Sequence, residues 1–142
     1  MEKNKLGKII KLPKIKTESQ GSLTPIYSKN HIPFKINRVY YLYDVPEGSN
    51  RGGHAHINLE QFLVAISGSF TVKLFDGKNK ESYLLNKPTE GLLINSMIWR
   101  ELTQFSSNSI CLALASLPYD ENDYIRDKLK FIKVKKKWIY TT

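Results

Sequence analysis

The sequence predicts an all-β fold, a sandwich or barrel of short strands followed by one short C-terminal helix. Between residues 22 and 116, runs rich in β-branched and aromatic residues alternate with turn signals, whereas the pattern becomes helical near residue 120. The chain has 142 residues, 41% of them hydrophobic, which is typical of one globular domain. We therefore expect a single domain over residues 1–142, with a barrel core at about 18–118 and a helix at about 120–134.

The predicted strands are separated by residues that favour turns. They cover 22–27, 34–45, 61–66, 69–75, 82–85, 91–94, 101–105 and 109–116. Ser67-Gly68 is a candidate two-residue hairpin turn, and Asp76-Gly77 marks a second turn. The stretch 46–53 (PEGSNRGG) has the composition of a loop.

The predicted helix has an N-terminal cap and one apolar stripe. Asp120 is the candidate cap, and Asp123 adds negative charge to the first turn. Ile125, Leu129 and Ile132 are spaced i, i+4 and i+7, so we expect this face to dock on the sheet.

The net charge of +9 comes from 22 basic and 13 acidic residues, but its placement argues against nucleic-acid binding. Lysines concentrate in residues 3–16 and 128–137, as in solvated chain ends. No apolar run approaches the roughly 20 residues that a membrane span needs, and the N-terminus is a poor signal peptide. The single cysteine, Cys111, cannot form an internal disulfide, so we expect a cytoplasmic protein. From the charge placement and the absence of a long apolar run, we expect neither nucleic-acid nor membrane partners.

The most informative stretch is RGGHAHINLE, in which one residue separates His54 from His56. On a strand, side chains at i and i+2 point to the same face. Two imidazoles on one surface can bind a metal ion or move protons. Glu60 keeps the same even spacing and is a third candidate for this surface.

This stretch resembles the first motif of the cupin superfamily, G…HxH…E…G, with Gly68 as the closing glycine. The resemblance implies a jelly-roll barrel with the histidines at its mouth. The second cupin motif matches PTEGLLINSMIWRE, where Arg100 stands in place of the third histidine ligand. A guanidinium has no lone pair to donate and repels a divalent cation, so we expect no metal. A fixed cation instead suits a negative substrate or a developing oxyanion.

Several segments together resemble one cupin family, the sugar 3,4-ketoisomerases (FdtA/QdtA-like) that act on dTDP-4-keto-6-deoxyglucose. They are RVYYLYD, RGGHAH, LEQFLVAISGSF, WRE and LASLPYDENDYIRD, and the similarity covers roughly residues 18–130. The resemblance implies an isomerase that makes a dTDP-3-keto-6-deoxyhexose for surface glycans such as lipopolysaccharide. It also implies a homodimer with strand exchange, and neither a metal nor an organic cofactor.

The resemblance assigns catalytic roles to His54, His56 and Tyr40. In this mechanism a neutral imidazole removes the C3 proton to give an enediolate, and a proton returns to C4. We expect His54 to act on carbon and His56 to handle oxygen protons or to orient its neighbour. Tyr41 and Tyr43 point away from Tyr40 on a regular strand and are expected to be structural.

The resemblance also assigns substrate-binding residues. Arg38 and Arg51 match arginines expected around the nucleotide diphosphate, and Arg100 is expected to stabilise the enediolate. Gln20 and Arg100 occupy positions that differ between family members making gluco and galacto products. Arg100 follows the gluco pattern and Gln20 follows neither, so we favour the gluco product.

Two other functions remain open at this stage. A cupin-type nucleotide-sugar epimerase uses a histidine base as well, but it leaves the ketone at C4 and inverts carbon centres. A non-catalytic sugar-binding cupin binds the ligand without exchanging its carbon-bound hydrogens with solvent.

Overall fold

The computed structural model describes residues 5–141, which form twelve strands and one α-helix. The elements are β1 (Gly7–Lys11), β2 (Ile15–Thr17), β3 (Gly21–Leu23), β4 (Arg38–Leu42), β5 (Arg51–His56), β6 (Gln61–Ser67), β7 (Phe70–Phe75), β8 (Lys80–Leu85), β9 (Glu90–Ile94), β10 (Trp99–Thr103), β11 (Ile110–Ala115), β12 (Tyr124–Ile125) and α1 (Lys128–Thr141).

Ten of these strands form two antiparallel five-stranded sheets. The first has the order β1-β9-β6-β11-β4 and the second the order β12-β5-β10-β7-β8, while β2 and β3 form a separate hairpin. The predicted all-β jelly roll with a C-terminal helix is confirmed, as two sheets that are not joined into a closed barrel.

The main core contains apolar side chains from both sheets, such as Leu63 and Ala113 from the first and Val72 and Leu102 from the second. Strand β6 is buried on its other face as well, because Phe62 and Val64 pack with Ile32 beneath the segment that precedes β4. Burial on both faces explains why β6 is a continuous apolar run without polar alternation.

The Ser67-Gly68 hairpin prediction is wrong. Strand β6 pairs with β9 and β11, whereas β7 pairs with β8 and β10, so this turn carries the chain from one sheet to the other. The local sequence of such a turn resembles that of a hairpin, and only the long-range pairing separates the two. The Asp76-Gly77 prediction is confirmed: this turn joins β7 to β8, and Asp76 Oδ1 accepts hydrogen bonds from the amides of Lys78 and Asn79.

The helix lies later in the chain than predicted. Residues 121–123 form a single 3-10 turn, residues 124–125 form β12 against β5, and α1 begins only at Lys128. Asp120 therefore caps the 3-10 turn, and Asp127 caps α1 by accepting a hydrogen bond from the amide of Lys130. Pairing with β5 and the burial of Ile125 override the helical pattern of this segment.

The predicted apolar stripe is wrong for the same reason. Ile125 lies in a strand and the side chain of Leu129 is 71% exposed, although Ile132 packs on the core. The helix instead buries Phe131 and Lys135 against the sheet.

The N-terminal lysine-rich segment also contains a strand that the sequence pattern did not reveal. Strand β1 lies before the predicted core and pairs with β9 over all five of its residues. Its lysines, Lys8 and Lys11, remain exposed, as the charge pattern predicted. Within residues 5–141, no helix is both long and apolar enough to cross a bilayer.

The turn between the two sheets gives a stability prediction. Gly68 has φ +65°, and a Cβ there would lie 2.4 Å from Ser106 Oγ and 2.9 Å from Ser109 Cα. Gly48 has φ +82°, and a Cβ at that position would have no heavy atom within 4 Å. We expect Gly68→Ala to lower the free energy of unfolding by about 2–4 kcal/mol and the control Gly48→Ala by about 1 kcal/mol, since only the former adds a clash to the backbone strain.

Urea denaturation of the two variants and the wild type measures this difference. Equal losses of stability in the two variants would show that the contacts around Gly68 do not constrain the crossing between the sheets.

Candidate active site

The two histidines of β5 face the same side, as predicted. Their ring centroids lie 4.9 Å apart and the ring planes meet at 87°. His56 is 1% exposed, and His54 is half-buried with both ring nitrogens shielded from solvent. The backbone of Gly52 lies near enough to the His54 ring to favour its protonated form. The i, i+2 spacing therefore produces a largely buried pair of imidazoles.

Arg100 lies beside this pair because β10 is the neighbour of β5, with Arg100 directly opposite His54. Its side chain is 1% exposed and donates hydrogen bonds to Gln61 Oε1 at 2.9 Å and to the Ile98 carbonyl at 3.0 Å. Burial lowers the pKa of Arg100 to about 10, so the guanidinium keeps its charge at neutral pH. Within residues 5–141 no carboxylate forms an ion pair with it, and its Nε has no partner.

Gln61 connects Arg100 to Tyr40 across the gap between the sheets. Its amide nitrogen donates to the Tyr40 hydroxyl at 2.6 Å, while its amide oxygen accepts from Arg100. Burial raises the pKa of Tyr40, so the phenol keeps its proton and can donate it in a hydrogen bond. The guanidinium of Arg38 lies 4.5 Å from the Tyr40 ring centroid.

Asp123 holds His56 from the other side. Its carboxylate accepts hydrogen bonds from the amides of Asn58 and Leu59, and Oδ2 lies 3.1 Å from His56 Nδ1. A carboxylate that accepts two amide protons acts as an acceptor toward the ring, so Nδ1 carries the proton and Nε2 keeps the free lone pair. The carboxylate bonded to a histidine of the pair is thus Asp123, at His56, and not Glu60.

Tyr124 covers both imidazoles because β12 pairs with β5 and places it opposite His56. Its ring centroid lies 4.3 Å from that of His56 and 4.9 Å from that of His54. Arg38 donates to its hydroxyl at 3.3 Å, and the guanidinium of Arg126 lies 4.2 Å from its ring centroid. The Tyr124 ring therefore lies against both imidazoles.

The structure brings together five of the seven predicted site residues: Arg38, Tyr40, His54, His56 and Arg100. Arg51 is exposed at the start of β5 and borders a surface hollow of about 450 Å³ together with Tyr41 and Tyr43. Gln20 is exposed in the turn between β2 and β3. The structure therefore places Arg51 and Gln20 on the surface, outside the hydrogen-bonded cluster around the histidines.

The sequence interpretation missed three residues that contact the cluster: Gln61, Asp123 and Tyr124. Gln61 is a polar residue at the start of an apolar strand and is 3% exposed, which is a usable signal for a buried polar role. Asp123 and Tyr124 lie within the segment that the sequence pattern assigned to a helix, so their approach to β5 was not predicted.

Both imidazoles are neutral at neutral pH. Burial, and next the charge of Arg100, lower the pKa of His54 to about 4. The same two causes, in the same order, hold the pKa of His56 well below its usual range. The cluster therefore combines two neutral bases, a neutral phenol and a permanent cation.

These groups suit proton transfer next to a developing negative charge. Among residues 5–141, no cluster of three or more His, Cys, Asp or Glu side chains is arranged to hold a metal ion. The absence of a metal in the reaction stays a prediction, based on the guanidinium in the place of a third ligand.

Comparison with known proteins matches this arrangement to one family. The family model described as FdtA: WxcM-like, C-terminal, matches residues 5–136. A curated relative from Aneurinibacillus thermoaerophilus, named TDP-4-oxo-6-deoxy-alpha-D-glucose-3,4-oxoisomerase, is 44% identical over 127 residues, which are 89% of this chain and 91% of the relative.

Solved structures give the same result. The sugar 3,4-ketoisomerase QdtA from Thermoanaerobacterium thermosaccharolyticum, solved in complex with TDP, is 39% identical with a TM-score of 0.90, over 94% of this chain and 96% of that chain. The TDP-quinovose 3,4-ketoisomerase WlaRB from Campylobacter jejuni is 43% identical with a TM-score of 0.86, over 92% of this chain and 99% of that chain.

The low pKa of His54 predicts that acid destabilises the fold. In the unfolded chain this imidazole titrates near ~6.5, so between pH 6.5 and about 4 the unfolded state binds more protons than the folded state. The free energy of unfolding should therefore fall with decreasing pH in this window, with His54 contributing on the order of 1 kcal/mol per pH unit.

Urea denaturation from pH 7.5 to 4.5, on the wild type and on His54→Gln, isolates this contribution. The variant should show a shallower loss than the wild type. Parallel curves would mean that His54 titrates alike in the folded and unfolded states.

Proposed function

The chain belongs to the FdtA (WxcM-like, C-terminal) family, and we propose that it converts dTDP-4-keto-6-deoxyglucose to the 3-keto isomer by proton transfer through His54 and His56. Its relatives are named for TDP-sugar 3,4-ketoisomerisation, which supports both the isomerase class and the nucleotide-sugar substrate. The sequence resemblance and the isomerase class inferred from it are in agreement with these relatives.

The observation that carries the mechanism is a buried cation without a carboxylate partner beside two neutral imidazoles. Among residues 5–141 the partners of Arg100 are Gln61 and a backbone carbonyl, so an anion that forms next to it is strongly favoured. An enediolate is such an anion, and it forms when a neutral base removes the proton next to a ketone.

The proposed reaction conserves every atom of the sugar. An imidazole takes the C3 proton, and the C3–H electrons form a C3–C4 double bond while the C4 carbonyl oxygen becomes an oxyanion. A proton is then delivered to C4, O4 gains a proton, and O3 loses its proton to become the new carbonyl. No oxidant, reductant or cofactor enters this balance.

The contacts support a division of these steps. His54, whose ring nitrogens have no side-chain partner among the described residues, is the proposed carbon base. His56, whose Nδ1 proton is held by Asp123, offers Nε2 for the oxygen protons. Tyr40 donates a hydrogen bond to the enediolate oxygen and Arg100 stabilises its charge. Since Tyr124 covers both imidazoles, this ring moves when the sugar reaches them.

For the diphosphate we propose Arg38 and Arg51. Arg38 lies at the edge of the histidine cluster, and Arg51 borders the adjoining hollow next to exposed tyrosines. A planar guanidinium binds phosphate oxygens in pairs, which suits both residues to this role.

For the product we propose the gluco configuration at C4. Arg100 follows the gluco pattern of the family, and the similarity to a TDP-quinovose 3,4-ketoisomerase supports it. Gln20 matches neither pattern, and its substrate-binding role remains part of this proposal. We further propose a cytoplasmic, single-domain enzyme whose product is used in surface glycans; the location is based on the free cysteine, Cys111.

Incubation with dTDP-4-keto-6-deoxyglucose in D₂O containing EDTA tests the reaction. We expect the wild type to form the 3-keto sugar with solvent deuterium at C4, and proton NMR of fresh product to show the gluco configuration. His54→Asn should still bind substrate but lose on the order of 10²–10⁴-fold in turnover, because it lacks the base. His31→Asn is the control, because it alters a half-buried loop histidine outside the cluster, whose Nδ1 accepts a hydrogen bond from the Tyr27 amide.

Full turnover by His54→Asn, or activity lost with EDTA and restored by iron, would contradict the mechanism. A ketone that stays at C4 while carbon centres invert would establish the epimerase. Binding of the nucleotide sugar without any deuterium incorporation would establish a non-catalytic binding protein.

We also propose a homodimer with strand exchange. The hairpin of β2 and β3 is exposed along its whole length, and its apolar side chains Ile15 and Leu23 are 54% and 59% exposed. Gln20 lies in the turn of this hairpin, so it can reach a histidine cluster if the hairpin docks on a second copy.

Light scattering after size exclusion should give twice the monomer mass for the wild type. Ile15→Lys/Leu23→Lys should weaken the dimer by at least about tenfold, since each change places a charge in an apolar contact. Leu84→Lys, at a site that is 58% exposed on β8, is the control and should remain dimeric. A wild-type monomer at micromolar concentration would be incompatible with the proposal.

A further inference from the structure

Lys135 differs from the other lysines of α1. The helix contains six lysines and, within residues 128–141, no acidic residue. Five of the lysines are exposed, whereas the side chain of Lys135 is only 7% exposed. Burial of an ammonium is costly unless it is hydrogen-bonded, so its partners indicate what the buried lysine does.

The partner of Lys135 is a backbone carbonyl in the turn before β10. Its Nζ donates to the Met97 carbonyl at 2.8 Å and lies 4.1 Å from the centroid of the Trp138 ring. Met97 is fully buried and has φ +60°, a conformation that is costly for a residue with a long side chain. The hydrogen bond from Lys135 therefore helps to hold a strained turn.

The backbone of this turn is hydrogen-bonded both to His56 and to Arg100. The Met97 amide donates to the His56 carbonyl at 2.7 Å, and the Ile98 carbonyl accepts from the Arg100 guanidinium at 3.0 Å. A rotation of the peptides around Met97 would displace the base and the cation relative to each other. Errors of about 1 Å in such positions can cost on the order of 10²-fold in rate.

We propose that Lys135 is a positioning residue for this active site, acting from α1 through the turn at Met97 to fix His56 and Arg100. The inference rests on the proposed function for its effect on catalysis. Helix α1 thus acts on the reaction indirectly, through the backbone of the turn. The reason is that Lys135 donates its hydrogen bond to the Met97 carbonyl and not to an imidazole. The role depends on the ammonium as a donor, and not on the packing of its aliphatic stem.

The variants Lys135→Met, Lys135→Arg and Lys136→Met test this role. Methionine keeps most of the stem without a donor, arginine keeps a donor, and Lys136 is the exposed neighbour on the same helix. For Lys135→Met we expect kcat to fall about tenfold with KM within about twofold, because the groups that act in the transition state are displaced. Lys135→Arg should recover part of kcat, and Lys136→Met should equal the wild type.

A purely structural role predicts a lower melting temperature for Lys135→Met with kcat unchanged, and this result would overturn the proposal. If Lys135→Met does not fold, Lys135→Gln, whose shorter amide is a weaker donor, takes its place, and an unchanged kcat in that variant would equally contradict it.

A readout without substrate separates this inference from the proposed function. The chain has three histidines, so ¹⁵N-histidine NMR can follow the His56 Nδ1–H signal individually. We expect this signal to shift and to exchange faster with solvent in Lys135→Met, but not in Lys136→Met. Unchanged His56 signals would refute the positioning role, whereas a wild type that does not isomerise the keto-sugar would refute only the proposed function.

Discussion

The buried guanidinium of Arg100 is the constraint on which the rest of the site depends. A cation taken out of water needs strong partners, and here it has a glutamine and a carbonyl in place of a carboxylate. Gln61 belongs to the opposite sheet, so this hydrogen bond also joins the two sheets at the site. Burial, and next the charge of Arg100, keep the nearby imidazoles neutral, and the positive charge remains available to an anion.

Strand β5 receives functional groups from both of its neighbours. Strand β10 brings Arg100 opposite His54, and the two-residue strand β12 brings Tyr124 opposite His56. The 3-10 turn before β12 then places Asp123 under the His56 ring. The short β12 is thus what makes the C-terminal segment part of the site, and α1 begins only after that pairing ends.

The sequence predicted those features that depend on local periodicity or on a motif. The strand period of two placed His54 and His56 on one face, and the motif placed Arg100 beside them. The crossing at Ser67-Gly68 and the strand at Tyr124 were not predictable in this way, because each is decided by which distant strand pairs with it. The local pattern placed Asp123 in the first turn of a helix for the same reason, although its carboxylate binds the His56 ring.

Two histidines on one strand, both largely buried, differ chemically because their second partners differ. The Asp123 carboxylate fixes one tautomer of His56, so that ring always presents Nε2 as an acceptor. The His54 ring has no carboxylate partner in the described chain, so its tautomer is not fixed in this way. A base that must take a proton from one carbon and deliver a proton to the next benefits from this freedom, whereas exchange of oxygen protons benefits from a fixed acceptor. The division of labour proposed for the pair therefore follows from Asp123, whose carboxylate is bonded to the His56 ring and not to the His54 ring.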